Sequence, residues 1–305
     1  MEHIETDLLV IGAGSGGLSV AAGAVQMGAR VVLIEGRAMG GDCLNWGCVP
    51  SKALLASGHV AHTQAHASAF GLADAAPQVD YPAVKDHVAE VIAGIAPMDS
   101  EERFEGLGVR VIRDWARFTS PREVEAGPHR ITARRVVIAT GSSPLVPPIP
   151  GLKDVPYETN ETIFDLRERP DHLLIVGGGP IGMEMAQAHV RLGSKVTVIE
   201  GDRALPKDDP EAAALVVAAL RADGVEINEG AQATKVRGSA GAIEIETEDG
   251  ETHTGPHLLM AVGRKPNTER LNLATAGIEA TKAGITVDAG LRTTNRRAYA
   301  IGDVA

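Results

Sequence analysis

Apolar residues fall twice into the same order along this chain. Each time an unalternated apolar run is followed by a glycine cluster, a helical stretch and a second apolar run that ends in an acid. In DLLVIGAGSGGLSVAAGAVQMGARVVLIE, residues 7 to 11 predict a strand buried on both faces, because polar alternation is absent. A helix is expected to about Met27, and RVVLIE predicts a second strand closed by Glu35. The order returns in HLLIVGGGPIGMEMAQAHVRLGSKVTVIE, closed by Glu200. Between the two, EGLGVRVIRDWARFTSPREVEAGPHRITARRVVIATG predicts short strands and turns, then a buried strand ending in Thr140 and Gly141. SSPLVPPIPGL is proline-rich and extended, which suits a crossing between domains. MAVGRKPNTERL adds an apolar strand ended by Gly263, and YAIGD a last one with Asp303 at its carboxyl end.

The glycines give these repeats a chemistry. Gly12, Gly14 and Gly17 fit G-x-G-x-x-G, and Gly177, Gly179 and Gly182 fit it again. The first glycine permits the tight turn, the second lets backbone approach a pyrophosphate, and the third lets helix and strand pack closely. The helix N-terminus that follows favours phosphate charge. Glu35 and Glu200 stand where a carboxylate accepts ribose hydroxyls. The expected fold is therefore α/β, with two doubly wound Rossmann-like dinucleotide-binding domains. One comprises residues 1–144 plus 272–305, and the other, 145–271, is inserted in it. Two dinucleotide sites suggest that one bound dinucleotide gives electrons to the other. At Glu200 a 2′-phosphate would meet like charge, which favours NAD(H) over NADP(H). Arg203, three residues on, is the one nearby cation that favours the phosphate.

Composition narrows the class. The 305 residues are 44% hydrophobic and 23% charged, as in ordinary soluble domains. The net charge of −11 repels phosphate backbones and argues against nucleic-acid binding. No apolar run approaches the roughly 18 residues of a membrane span. MEHIETDLLVIGAGSGG has no basic region ahead of its apolar stretch, so a cytoplasmic protein is expected. In that compartment the only two cysteines, Cys43 and Cys48 in GGDCLNWGCVPSK, invite a redox reading, because cytosolic disulfides are usually catalytic or sensing. As a staple, such a short bridge contributes only about 2 kcal/mol. Two unrelated buried thiols remain the alternative at this point. His59, His62 and His66 have helical spacing, but without a fourth ligand they read as solvated or packed residues, and no metal site is expected.

Taken together, GAGSGG, GGDCLNWGCVPSKALL, ATGSSP, GGGPIGMEMA, MAVGRKPNT and YAIGDVA resemble, in order and over the whole chain, the class I pyridine nucleotide–disulfide oxidoreductases. CVPSK and the second glycine unit look most like the dihydrolipoamide-dehydrogenase and mercuric-reductase branches. The resemblance implies FAD on the first unit and NAD on the second. It implies a redox disulfide between Cys43 and Cys48, with Cys48 facing the flavin and Cys43 as the interchange thiol. It gives Lys52 and Glu184 as an ion pair beside the flavin, and Ile181 as the side chain over the nicotinamide pocket. Glu35, Thr140, Gly141 and Asp303 match FAD contacts, with Asp303 on the ribityl chain. Gly41, Asp42, Ala116, Ser142, Val236 and Gly263 complete the cofactor-binding positions. Electrons would pass from NADH through FAD to the disulfide, and on to a small-molecule disulfide or metal ion, or in reverse from a dithiol.

Two residues depart from the pattern. Asp42 stands where a threonine is common and Trp46 where a small branched residue is common. The acid would disfavour a thiolate at Cys43, and the indole would narrow access. The resemblance also implies a C-terminal region beyond residue 305, with a dimerisation domain and a His–Glu acid–base pair, so that the family's full-length members are homodimers. The chain by itself is then expected to turn over little, and a nucleotide-binding or redox-sensing module without turnover is the alternative reading.

Overall fold

In the computed structural model, which describes residues 1–305, the first apolar run is the end of a longer strand, β1 (Glu2–Ile11). Helix α1 (Ser15–Gln26) follows, then the fully buried β2 (Val31–Ile34) and the short α2 (Gly41–Asn45). β3 (Arg110–Ile112), β4 (Ala116–Ser120), β5 (Glu123–Ala126) and β6 (His129–Ile138) complete a sheet ordered β3-β2-β1-β6-β5-β4. β3, β2, β1 and β6 are parallel, and β4 and β5 return antiparallel. The apolar run of β1 carries no alternation because Leu9, Val10 and Ile11 pack into cores on both faces. The C-terminal strand Ala298–Ala300 pairs parallel with residues 136–138 of β6 and returns the end of the chain to this sheet.

By packing, the chain divides into two compact units, 1–45, 92–143 and 264–305 against 46–91 and 144–263. This partition differs from the expected ranges at three places. Residues 46–91 and Pro144 group with the second unit, and residues 264–271 with the first. The second unit begins with α3 (Cys48–Ala65) and α4 (Tyr81–Ile95). β7 (His172–Val176), α5 (Pro180–Arg191), β8 (Lys195–Glu200), α6 (Pro210–Ala222), β9 (Glu226–Glu229) and β10 (His257–Met260) build its parallel sheet, ordered β9-β8-β7-β10. An antiparallel three-stranded sheet, residues 233–255, inserts before β10. α3 belongs to this unit because it packs on α5. At Gly58 an added Cβ would stand 3.3 Å from the Ala188 carbonyl, so the two helices meet there with bare backbone. No helix is long and apolar enough to cross a membrane.

The same packing buries polar groups. His189 on α5 is 0% exposed, and its Nδ1 lies 2.8 Å from the Met185 carbonyl, its Nε2 3.2 Å from the Tyr81 hydroxyl. Nearby, the Lys85 ammonium donates to the Ile163 carbonyl at 3.1 Å and lies 5.5 Å from the Phe164 ring centroid. Burial pushes the Lys85 ammonium down to about 8, the Tyr81 hydroxyl up to about 12, and the His189 imidazole down to about 4.

The imidazole generates a prediction. Between pH 4 and 6.5 the unfolded chain binds a proton at His189 that the folded chain refuses. Stability contributed by the neutral ring is therefore complete above pH 6.5 and is lost as pH falls toward 4. The gap between 6.5 and about 4 amounts to about 3 kcal/mol. Urea unfolding at a series of pH values is expected to show His189→Gln less steeply destabilised by acid than the parent. Equal slopes for the two proteins would exclude the assignment.

Candidate active site

The first glycine loop is built by backbone contact. The Gly12 amide donates to the Ile34 carbonyl at 2.8 Å, and Gly12 holds φ +105, which favours glycine. A Cβ at Gly17 would stand 1.9 Å from the Gly12 carbonyl oxygen. Gly14 then caps α1 in extended backbone. Glu35 is turned into the loop, its Oε2 accepting from the Ala13 amide at 2.7 Å and its Oε1 from the Arg37 amide at 2.6 Å. Beside it opens a cleft of about 440 Å³ whose lining includes Gly12, Glu35, Trp115, Ala116, Thr140 and Arg270. A bare-backbone loop at a helix N-terminus, an acid on the next strand and an open cleft beside both fit a dinucleotide such as FAD.

The redox segment starts on this loop. The Gly40 amide donates to the Ala13 carbonyl at 2.9 Å, and a Cβ at Gly41 would stand 2.6 Å from Gly14 Cα. Cys43, half-buried, lies on α2, whose Asn45 amide group donates to the Gly41 and Met39 carbonyls at 2.8 and 3.0 Å. The helix stops at Asn45, and α3 starts at Cys48 after Gly47, whose backbone (φ −126, ψ −110) is not helical. The helix is thus fully broken between the two cysteines. Cys48, exposed, takes the first position of α3. Both residues are thiols in this structure.

Sequence reasoning missed the side chains that tie the rest of this unit together. Arg264 donates through Nε to the Ser142 hydroxyl at 2.7 Å and through Nη2 to the Ser142 carbonyl at 2.9 Å. Its Nη2 also lies 3.1 Å from Asp42 Oδ1, and its Nε 3.7 Å from Asp303 Oδ2. Ser142 in turn donates to Asp303 at 2.6 Å. The acid expected to oppose a thiolate at Cys43 therefore has a guanidinium beside it. Asn267 donates to the Thr140 carbonyl at 3.0 Å and accepts the Ser143 hydroxyl at 2.7 Å, while its own amide donates to the Gly141 carbonyl at 2.9 Å. The motif GRKPN carried both residues, but its spacing names no partners across the chain.

The second unit repeats the first loop closely. The Gly177 amide donates to the Ile199 carbonyl at 2.9 Å, and a Cβ at Gly182 would stand 2.0 Å from the Gly177 carbonyl oxygen. Glu200 accepts from the Gly178 amide at 2.5 Å and the Asp202 amide at 2.9 Å, the counterpart of Glu35. Gly179 caps α5 with no atom within 4 Å of an added Cβ, so the position faces open space. Arg203 is turned to the carbonyls of Pro206 and Asp208, at 3.1 and 3.4 Å. Ile181 is half-buried on the first turn of α5. Gly263 is exposed at φ +141. Val236 is 1% exposed and packs in the core of this unit, with its amide donating to the Pro150 carbonyl at 2.9 Å.

Lys52 lies one turn beyond Cys48 on α3, and its Nζ meets Glu184 Oε1 on α5 at 2.5 Å. The two side chains are 62% and 36% exposed. An ion pair so exposed contributes little stability, about 0–1 kcal/mol, and its consequence is to fix where the ammonium points. Of the three spaced histidines, His62 and His66 stack at 4.2 Å, and His62 Nε2 lies 3.2 Å from Asp223 Oδ1. Burial and the Arg191 charge hold His62 below the usual imidazole range.

A family model described as pyridine nucleotide-disulphide oxidoreductase matches residues 6–305. A mercuric reductase of Acidithiobacillus ferrooxidans is 37% identical, covering 98% of this chain and 56% of its own length. A dihydrolipoyl dehydrogenase of Thermus scotoductus is also 37% identical, with 98% and 66% covered. Among solved structures, a Cu(II) complex of the HOCl-induced flavoprotein disulfide reductase RclA from Escherichia coli matches with a TM-score of 0.85 at 30% identity, covering 98% of this chain and 66% of that one. The chain thus spans about half to two thirds of the length of the relatives it matches.

The two glycines of the second loop are expected to separate under mutation. Gly182→Ala drives a methyl into the Gly177 carbonyl, 2.0 Å away, and is expected to cost about 1–3 kcal/mol of stability. Gly179→Ala meets nothing within 4 Å and is expected to keep the melting temperature while weakening NADH binding at least tenfold. Thermal melts and NADH titration of both variants check this. Gly179→Ala binding NADH like the parent would remove the loop from the nucleotide site.

Proposed function

The chain belongs to the pyridine nucleotide-disulphide oxidoreductase family, and on that premise we propose that its residues pass two electrons from NADH to a Cys43–Cys48 disulfide, with FAD between them. The observation that carries this is the contact of Gly40 and Gly41 with Ala13 and Gly14. It fixes the start of the cysteine segment on the loop that would cradle the FAD pyrophosphate. Residues 1–144 and 272–305, together with 264–271 that line the same cleft, would hold FAD, and residues 145–263 would hold NAD. When bound, FAD supplies a two-electron relay between a pyridine nucleotide and a disulfide.

The chain's own residues divide the remaining work. The amides of the two glycine loops would hold pyrophosphate, Glu35 and Glu200 would read ribose hydroxyls, and Asp303 would hold the ribityl chain. Lys52, fixed by Glu184, would place a positive charge where negative charge develops during reduction. Reduction of the pair breaks the S–S bond, takes two electrons from NADH and one proton from solvent in addition to the hydride, and leaves NAD⁺ and two thiols. At the start of α3, Cys48 would be stabilised as a thiolate by helix amides. Cys43 would then attack a substrate disulfide, or the pair would reduce a metal ion, and either step returns the Cys43–Cys48 disulfide. Run in reverse, the same groups oxidise a dithiol. The similarity to mercuric reductases and to a dihydrolipoyl dehydrogenase supports these substrate classes.

Two measurements test the proposal. Purified protein is expected to carry FAD, and NADH is expected to raise the thiols titrated in denaturant from none to two per chain, a rise that Cys48→Ser abolishes. A colourless protein that takes up no added FAD would instead support a module without this redox chemistry. NADH is expected to outperform NADPH in the reduction rate, because Glu200 repels a 2′-phosphate while Arg203 is engaged by its own loop. Glu200→Ala is expected to narrow that preference about tenfold, and an unchanged ratio would refute the assignment of Glu200.

A further inference from the structure

Asn160 has no part in the reading above, yet it holds the backbone between the two cysteines. Its side chain is 6% exposed, and its Nδ2 donates to the Trp46 carbonyl at 3.1 Å. Trp46 and Gly47 are the residues between the end of α2 and the start of α3. In a continuous helix the Trp46 carbonyl would accept the amide of residue 50. Residue 50 is Pro50, which has no amide hydrogen to give. The hydrogen-bond ladder of α3 therefore begins one residue later, where the Ser51 amide donates to the Gly47 carbonyl at 3.0 Å. Asn160 supplies the Trp46 carbonyl with a donor that the helix cannot.

Asn160 is itself held from both sides. Before it, the Glu158 amide donates to the Leu258 carbonyl at 2.7 Å, and the Glu158 carbonyl accepts the Met260 amide at 2.8 Å, so the segment is paired to the edge of β10. After it, the Thr162 and Ile163 amides donate to the Thr159 carbonyl at 3.1 and 3.0 Å. The Ile163 carbonyl accepts the buried Lys85 ammonium of α4. A sheet edge and a lysine thus fix the short turn that presents the Asn160 amide.

We propose that Asn160 is a positioning residue for the Cys43–Cys48 couple, acting through the Trp46 carbonyl. The proposal rests on the disulfide reading above. Gly47 gives the backbone before Cys48 several conformations, and closing a disulfide selects the few that meet its narrow geometry. Pinning Trp46 removes part of that freedom while the pair is still a dithiol, so less is lost when the S–S bond forms. Asn160 thereby favours the disulfide over the dithiol.

The test is the thiol–disulfide equilibrium of the purified protein in glutathione buffers, read by mass after the free thiols are alkylated. In it two glutathione thiols break the Cys43–Cys48 bond, leave as one glutathione disulfide, and pass their two protons to the cysteines. Asn160→Ala is expected to shift this equilibrium about tenfold toward the dithiol, the scale of one backbone residue set free. For a two-electron couple that is about 30 mV. Asn160→Asp keeps the shape and loses the donor, so at neutral pH it is expected to shift the equilibrium the same way. It carries the test if Asn160→Ala fails to fold. Asn160→Gln, which keeps an amide donor, is expected to shift it less than Asn160→Ala does. A role in the fold alone would lower the melting temperature of these variants without moving the equilibrium of the folded protein. Folded Asn160→Ala or Asn160→Asp within about twofold of a parent that forms the disulfide, or shifted toward the disulfide, overturns the role of Asn160. A parent that keeps two free thiols in the most oxidising buffer overturns the disulfide reading, and the proposal with it.

Discussion

Bare backbone meeting bare backbone is the contact on which the two nucleotide loops depend. At Gly17 an added Cβ would come within 1.9 Å of the Gly12 carbonyl, and at Gly182 within 2.0 Å of the Gly177 carbonyl. No side chain fits either gap, so each helix starts directly against the strand before it. That closeness sets the helix N-terminus at the loop and turns the strand-end acid, Glu35 or Glu200, onto the amides beside it. In the first unit the same constraint extends outward, because Gly41 meets Gly14 without room for a methyl group. The position of the cysteine segment is a consequence of that second contact.

The repeats diverge in what surrounds them. Around the first loop, Arg264 joins Asp42, Ser142 and Asp303, residues far apart in sequence. One guanidinium serving two carboxylates leaves this group with one net negative charge instead of two. Asp42 is thereby compatible with a reactive thiol at the next residue, which the acid alone would oppose. Around the second loop, Arg203 folds back on its own carbonyls, while Glu200 accepts the amides of Gly178 and Asp202.

What the sequence made legible was local. Two unalternated apolar runs, their glycines and their closing acids sit within about thirty residues of one another, and periodicity and spacing carry that information directly. The antiparallel β4 and β5 and the return of the C-terminal strand to β6 were legible as short strands without partners. Long-range side-chain pairings were not. Nothing in the spacing of GRKPN points Arg264 at Asp42, or Asn267 at Thr140. The break between α2 and α3 was not legible either, because Gly47 permits several backbones and the surrounding packing chooses among them. The grouping of α3 and α4 with the second unit was likewise invisible, since it depends on Gly58 meeting Ala188 and on Tyr81 meeting His189.

An acidic chain that holds anionic dinucleotides presents an electrostatic difficulty, and the loops show how it is met. The net charge of −11 sets the long-range field, which salt screens over about 8–10 Å. Within the loops the relevant charges are partial and close. Each helix begins with unpaired amides and carries no acid in its first turn, so the local potential at the pyrophosphate position is positive. The nearest full negative charges, Glu35 and Glu200, each accept two backbone amides. Their charge is thereby tied to backbone amides at the strand end. Phosphate recognition by backbone leaves the surface free to be acidic, which is why the same overall charge that argues against a nucleic-acid partner is compatible with two dinucleotides.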